Sequence, residues 1–223
     1  GMAQQDAVVF DAYGTLFDVH SVVATAERLF PGRGVALSGL WRSKQLEYSW
    51  LRSLMQRHVD FNVVTRQALQ YACASLKLDY SPQALEELNH AYRTLAVFAD
   101  ARRALDQLRG NHRLAILSNG APDMLGAVVS HNGLADRFEA VLSVEDVGVF
   151  KPDPRVYQLA VDRLGIAASR IAFVSSNGWD AAGARAFGFR VFWVNRGGEP
   201  AEGLDQPPDH TLASLDALTA LLG

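Results

Sequence analysis

Cys73 is the one cysteine in 223 residues. That excludes an internal disulfide and a thiolate metal cluster, and its apolar neighbours mark it as a small core residue. No apolar run approaches the about 18 residues of a membrane-spanning helix, so no membrane partner is expected. The first residues lack the basic-then-apolar order of a secretory leader, and Gly1 ahead of Met2 reads as an added residue, which makes the cytoplasm the expected location. Basic excess is also missing: the net charge is -3, with no Lys and Arg cluster interleaved with aromatics, so a small molecule fits better than nucleic acid. His20, His58, His90, His112, His131 and His210 show no metal-ligand spacing, and no repeat or low-complexity tract occurs.

What is present is an ordinary globular composition, 49% hydrophobic and 20% charged, enough for one sizeable core or a core with a small second domain. The organising stretch is Ala7-Val8-Val9-Phe10-Asp11-Ala12-Tyr13-Gly14-Thr15-Leu16-Phe17. A continuous apolar run that stops at a carboxylate and then meets turn residues is the pattern of a buried strand ending in a sharp loop. In an open α/β sheet the ligand crevice lies beyond the carboxyl ends of the strands, which makes Asp11 a candidate nucleophile. An Asx-turn or a helix cap is its plain structural alternative.

Further along, apolar spacing predicts a helix over 21–30, punctuated by Pro31-Gly32-Arg33-Gly34, and then helices without a convincing strand to about Phe98. Leu40, Lys44, Tyr48, Leu51 and Met55 share one helical face, Val64, Ala68, Ala72 and Leu76 another, and Ser81-Pro82 caps a third helix. This reads as an inserted helical cap. From residue 99 strands alternate with helices, which implies a parallel, doubly wound sheet: strands at 114–117, 140–142, 171–174 and 191–194, a long connecting loop over 197–208, a short segment near Thr211 and a terminal helix over 214–222.

Three apolar strands end in polar groups: Asp11; Ser118 with Asn119; and Ser175 with Asn177 and Asp180. A parallel sheet brings those ends to one edge although more than a hundred positions separate them. Taken singly, each has an ordinary reading. Ser118 and Ser175 are natural helix caps, Lys151 is a lysine before a proline turn, Arg42 and Asp180 are surface charges, and Tyr157 and Trp179 are core aromatics.

Together and in order, the Asp11 loop, Ser118-Asn119, Lys151-Pro152-Asp153 and Ser175-Ser176-Asn177-x-x-Asp180 resemble the haloacid dehalogenase superfamily. The stretch Asp11-Ala12-Tyr13-Gly14-Thr15-Leu16-Phe17-Asp18 and the segments around Leu40–Tyr48 and Trp50–Met55 resemble its L-2-haloacid dehalogenase branch in particular. The phosphatase branches carry a second Asp two residues after the nucleophile, where this chain has Tyr13.

The resemblance implies a Rossmann-like core over 1–17 and 98–223 with a helical cap over 18–97. The activity it implies is hydrolysis of (S)-2-haloalkanoic acids to (R)-2-hydroxy acids and halide through an ester on Asp11, with no cofactor or metal, in a homodimer. It also assigns roles. Arg42 receives the halide, while Ser118, Asn119 and Lys151 with loop N–H groups hold the substrate carboxylate. Thr15 and Tyr157 support the site by hydrogen bonding, and Tyr13, Leu46, Phe61 and Trp179 wall the alkyl group. Asp180, Asn177, Ser175 and Lys151 are left as candidates for activating the hydrolytic water, Asp180 first among them. A magnesium phosphatase on the same fold, with Asp180 as its remaining carboxylate, is one alternative, and an acid-binding protein without turnover is another.

Overall fold

A computed structural model describes residues 5–222; residues 1–4 and 223, the outermost ends of the expected core, lie outside the described residues. In chain order the strands are β1 (Ala7–Phe10), β2 (Phe17–Asp18), β3 (Ala96–Val97), β4 (Arg113–Ser118), β5 (Ala140–Ser143), β6 (Ile171–Ser175), β7 (Arg190–Val194) and β8 (His210–Leu212). Six of them form one parallel sheet in the order β5-β4-β1-β6-β7-β8. The chain winds outward from β1 through β4 to β5, returns to β6 on the other side of β1, and continues to β8. The winding direction therefore reverses at β1, the place where ligands bind in such sheets. All four residues of β1 are fully buried, which is why that strand reads as an unbroken apolar run. Burying Val8, Val9 and Phe10 contributes about 1.5–3 kcal/mol each.

Between β1 and β4 the chain makes a helical excursion: α1 (His20–Leu29), α2 (Gly34–Met55), α3 (Phe61–Ser75) and α4 (Pro82–Ala91). Its two ends are tied together, because β2 pairs antiparallel with β3 and the Phe98 amide donates to the Leu16 carbonyl at 2.8 Å. These two-residue strands are absent from the sequence expectation. Two residues carry no alternating pattern, and only the pairing partner defines them.

The second helix of the excursion starts at Gly34, earlier than the apolar spacing indicates. Glu27 on α1 reaches across the turn and accepts from the Gly34 amide at 3.0 Å, which serves as a cap, and a Cβ on Gly34 would lie 2.6 Å from Glu27. The buried row of α2 is Leu37, Trp41, Gln45 and Ser49, while Leu51 and Met55 are exposed. Two polar members hide that row from hydrophobic periodicity. Asp60 caps α3 and Ser81 caps α4 through the Val63 and Ala84 amides, the latter cap as expected.

The remaining helices are α5 (Ala99–Leu108), α6 (Pro122–His131), α7 (Pro154–Leu164), α8 (Gly178–Phe187) and α9 (Leu218–Leu222). The expected terminal helix begins instead as a 3-10 turn at Leu215–Ala217. There Ser214 accepts from the Asp216 amide and Asp100 from the Leu215 amide, which tightens the first turn. Cys73 is buried in α3, and burial pushes its thiol pKa up. No described helix is long and apolar enough to cross a membrane.

Candidate active site

Asp11 follows β1 directly, and its amide donates to Val174 of the neighbouring strand β6 at 2.9 Å. The loop then turns back on itself: the amides of Thr15, Leu16 and Phe17 all reach the Ala12 carbonyl, at 3.2, 2.9 and 3.2 Å. Gly14 holds φ +81°, a conformation a side chain would strain. This tight loop returns the Thr15 side chain to the carboxylate it follows. Ser118 ends β4 and Ser175 ends β6, so the three strand ends meet at the reversal point.

The two oxygens of Asp11 have different surroundings. Oδ2 accepts from Asn177 Nδ2 at 2.7 Å, Thr15 Oγ1 at 3.1 Å and Ser175 Oγ at 3.2 Å. Oδ1 takes the Lys151 ammonium at 3.2 Å. Asn177 is also the N-cap residue of α8, so the positive end of that helix dipole faces the carboxylate. Ser176 completes the arrangement: its amide donates to Thr15 Oγ1 at 2.8 Å, and its hydroxyl lies 3.1 Å from the same oxygen, so the single Thr15 hydroxyl proton has Asp11 Oδ2 and Ser176 Oγ within equal reach.

Lys151 is 1% exposed and bridges two carboxylates, with Asp180 Oδ2 at 2.9 Å on its other side. Burial works against its charge, but Asp11 and Asp180 outweigh it and hold its pKa above that of an ordinary lysine. Burial pushes the Asp180 carboxyl above its usual value; Lys151 opposes this and the charge of Asp11 adds to it. Tyr157 donates to Asp180 Oδ1 at 2.7 Å, and burial together with that carboxylate raises its own pKa, so it stays a donor. Removing one partner would leave an unpaired buried charge, a loss of about 3–5 kcal/mol. Asn119 accepts from the Lys151 amide at 2.9 Å, fixing where the lysine starts.

From the helical excursion, α2 brings Arg42, whose Nη2 lies 3.4 Å from Asn177 Oδ1. Gln45, one turn on and fully buried, aims it: Oε1 accepts from Arg42 at 3.0 Å, and Nε2 donates to Thr65 Oγ1 at 2.9 Å. Leu46 stands at i+4 from Arg42, on the same face of the helix. Tyr13 is buried against Tyr92, ring centroids 5.7 Å apart; its hydroxyl has no hydrogen-bond partner among the described residues, and burial raises its pKa. Phe61 packs on Phe150 at 6.0 Å, and Trp179 meets Trp50 edge to face at 5.2 Å. Trp50, Phe150, Lys151, Trp179 and Leu204 share a cleft of about 410 Å³. Leu204 belongs to the long loop read from the sequence as connection, and it lines this cleft.

The structure therefore gathers Asp11, Thr15, Ser175, Asn177, Lys151, Asp180 and Tyr157 into one hydrogen-bonded cluster, with Arg42 at its edge. Ser118, 1% exposed, accepts from the Gly120 amide at 3.0 Å, and Asn119 holds the Lys151 amide. Ser176 and Gln45 are the supporting residues that sequence reasoning missed. The adjacency of Ser176 to Ser175 and the i+3 spacing of Gln45 from Arg42 were the available signals. Among the described residues no group of three His, Cys, Asp or Glu side chains could hold a metal ion.

Residues 5–188 match the haloacid dehalogenase-like hydrolase family. The chain belongs to that family. Within it, the chain is 52% identical over 215 residues to an (S)-2-haloacid dehalogenase of Pseudomonas sp. (strain YL), covering 96% of this chain and 93% of that protein. An L-2-haloacid dehalogenase crystal structure superposes with a TM-score of 0.97 at 46% identity, covering 99% of each chain. The L-2-haloacid dehalogenase of Xanthobacter autotrophicus with chloropropionic acid covalently bound superposes at 0.92, with 43% identity over 98% of each chain. The resemblance found in the motifs thus extends over nearly the whole backbone.

Proposed function

We propose that this chain hydrolyses short-chain (S)-2-haloalkanoic acids to (R)-2-hydroxy acids and halide, without a metal, through an ester on Asp11. The observation that carries the reading is the asymmetry of the Asp11 carboxylate: among the described residues three donors occupy Oδ2, and only Lys151 meets Oδ1. Oδ1 is the oxygen with lone pairs left to attack. The covalent chloropropionate complex of the Xanthobacter relative supports the same route.

In the first step Oδ1 attacks C2 opposite the halogen, the carbon–halogen bond breaks with inversion, and halide leaves toward Arg42. Lys151 and the Ser118 hydroxyl, with loop N–H groups, hold the substrate carboxylate and align carbon with oxygen. Tyr13, Leu46, Phe61 and Trp179 enclose the alkyl group.

In the second step water attacks Cγ of the ester. Charge develops on Oδ2, where Asn177, Ser175 and Thr15 already donate, an arrangement that favours the tetrahedral intermediate over the ester. The bond from Cγ to Oδ1 then breaks, and the departing alkoxide takes up the proton that the base removed from water, which frees the hydroxy acid. Of the candidates for the base, Asn177 and Ser175 are engaged as donors and Lys151 stays charged. That leaves Asp180, whose raised pKa suits it to accept a proton.

The same reading divides the chain into a core over 1–17 and 98–223 and a cap over 18–97, and places it in the cytoplasm. Leu51, Leu54 and Met55 on α2 are 40%, 80% and 58% exposed, an apolar patch that a second copy of the chain would cover in a homodimer. Halide release from each enantiomer of 2-chloropropionate, before and after exhaustive chelation, tests the activity. Release from the (S)-enantiomer alone, unchanged by chelation, is expected. Activity lost on chelation and restored by Mg²⁺ would overturn the metal-free mechanism.

A further inference from the structure

We propose that Arg196 is a positioning residue that braces both connections to the helical excursion and, through Thr15, holds Asp11 in its attacking geometry. This rests on Asp11 being the nucleophile. Arg196 lies two residues beyond β7, at the same sheet edge as Asp11, and its guanidinium touches both segments that lead to the excursion.

On the outgoing segment, Nη2 donates to the Thr15 carbonyl at 3.1 Å, and Nη1 lies 3.5 Å from the Gly14 carbonyl. On the returning segment the guanidinium carbon sits 4.0 Å over the Phe98 ring, and Nη2 pairs with Asp100 Oδ1 at 2.9 Å. Asp100 is itself anchored, its Oδ2 accepting from the Ser214 hydroxyl and the Leu215 amide at 3.1 and 2.9 Å. Arg196 therefore ties the nucleophile loop to a fixed part of the core.

The bond geometry explains why these carbonyls need an outside partner. The tight turn sends three amides to the single Ala12 carbonyl, and the carbonyls of Gly14 and Thr15 find their donor in Arg196. Planar Arg spreads its donors over two nitrogens, so Nη1 and Nη2 together reach two carbonyls and a carboxylate, a spacing that the three N–H groups on the single ammonium nitrogen of Lys do not reproduce. Thr15 carries the consequence to the chemistry, because its hydroxyl donates to Asp11 Oδ2. Loosening the Thr15 backbone lets the Asp11 carboxylate rotate, and reacting groups displaced by fractions of an ångström lose rate steeply.

Arg196→Lys keeps the charge for Asp100 but loses the fork. We expect it to lower kcat about tenfold with KM held within about twofold, and to speed amide exchange in residues 12–17 severalfold while leaving β4 and β6 unchanged. Placed on Thr15→Val, where the link to Asp11 is already cut, the same substitution should cost less than about twofold. Losses that multiply in full, or loop exchange unchanged in Arg196→Lys, would overturn the proposal. Should the unaltered chain release no halide, the functional reading fails on its own, and exchange in 12–17 still decides the role of Arg196.

Discussion

Asn177 Nδ2 lies 2.7 Å from Oδ2 of Asp11, the shortest of the three donor contacts to that oxygen. A donor aimed at the oxygen that does not attack matters mainly in the second step, when that oxygen becomes the oxyanion. Asn177→Ala should therefore slow ester hydrolysis more than ester formation. One donor of this kind is worth about 10²–10³ in rate. Rapid-quench kinetics should show a burst of halide equal to the enzyme present, followed by slow turnover. A uniformly slow course without a burst would place Asn177 in the first step instead.

Gly183 offers a sharper geometric test. It lies on α8 opposite α7, and a Cβ there would come 2.7 Å from the Tyr157 hydroxyl and 2.7 Å from Pro152. Gly183→Ala must push away the tyrosine that holds Asp180 or the proline that follows Lys151. Although alanine favours the helix by about 1 kcal/mol, the variant should be less stable than the parent, by about 1–3 kcal/mol for overpacking. It should also lose activity. Denaturant unfolding checks the first, and an equally stable, fully active Gly183→Ala would contradict the close packing of α8 on Tyr157.

The strand ends were legible because their signals are local: an apolar run, a polar residue and a turn, repeated at Asp11, Ser118 and Ser175. That they converge followed from the parallel sheet. The bridge formed by Lys151 was not legible from its own position, since a lysine before a proline reads as solvated, and only two carboxylates arriving from β1 and α8 make its burial tolerable. Ser176 and Thr15 are 161 positions apart, and no periodicity announces a hydrogen bond over that distance. The strands β2 and β3 escaped for the same reason, being defined by their pairing, and the buried row of α2 was masked by Gln45 and Ser49.

The pH dependence follows from the buried cluster. Asp180 must be ionised to accept a proton, and its pKa is raised above 3.8. The kcat profile should therefore fall, as pH drops, at a value above 3.8. Lys151 is raised above 10.5, so it stays charged through the neutral range and should set no alkaline limb below that value. Asp180→Asn should remove turnover while permitting one equivalent of halide release. An acid limb at or below 3.8, with Asp180→Asn turning over normally, would dismiss Asp180 as the base.

The central claim is that Asp11 is a nucleophile, not a base that activates water against the substrate carbon. Both routes invert C2, so stereochemistry does not separate them, whereas isotope placement does. In a single turnover in ¹⁸O-water with enzyme in excess, attack by Oδ1 transfers an unlabelled oxygen from Asp11 to the hydroxy acid and leaves the heavy oxygen on the carboxylate. Mass spectrometry should find the first product unlabelled and the Asp11 peptide heavier by one ¹⁸O. A labelled first product with an unlabelled Asp11 peptide would contradict the nucleophile assignment.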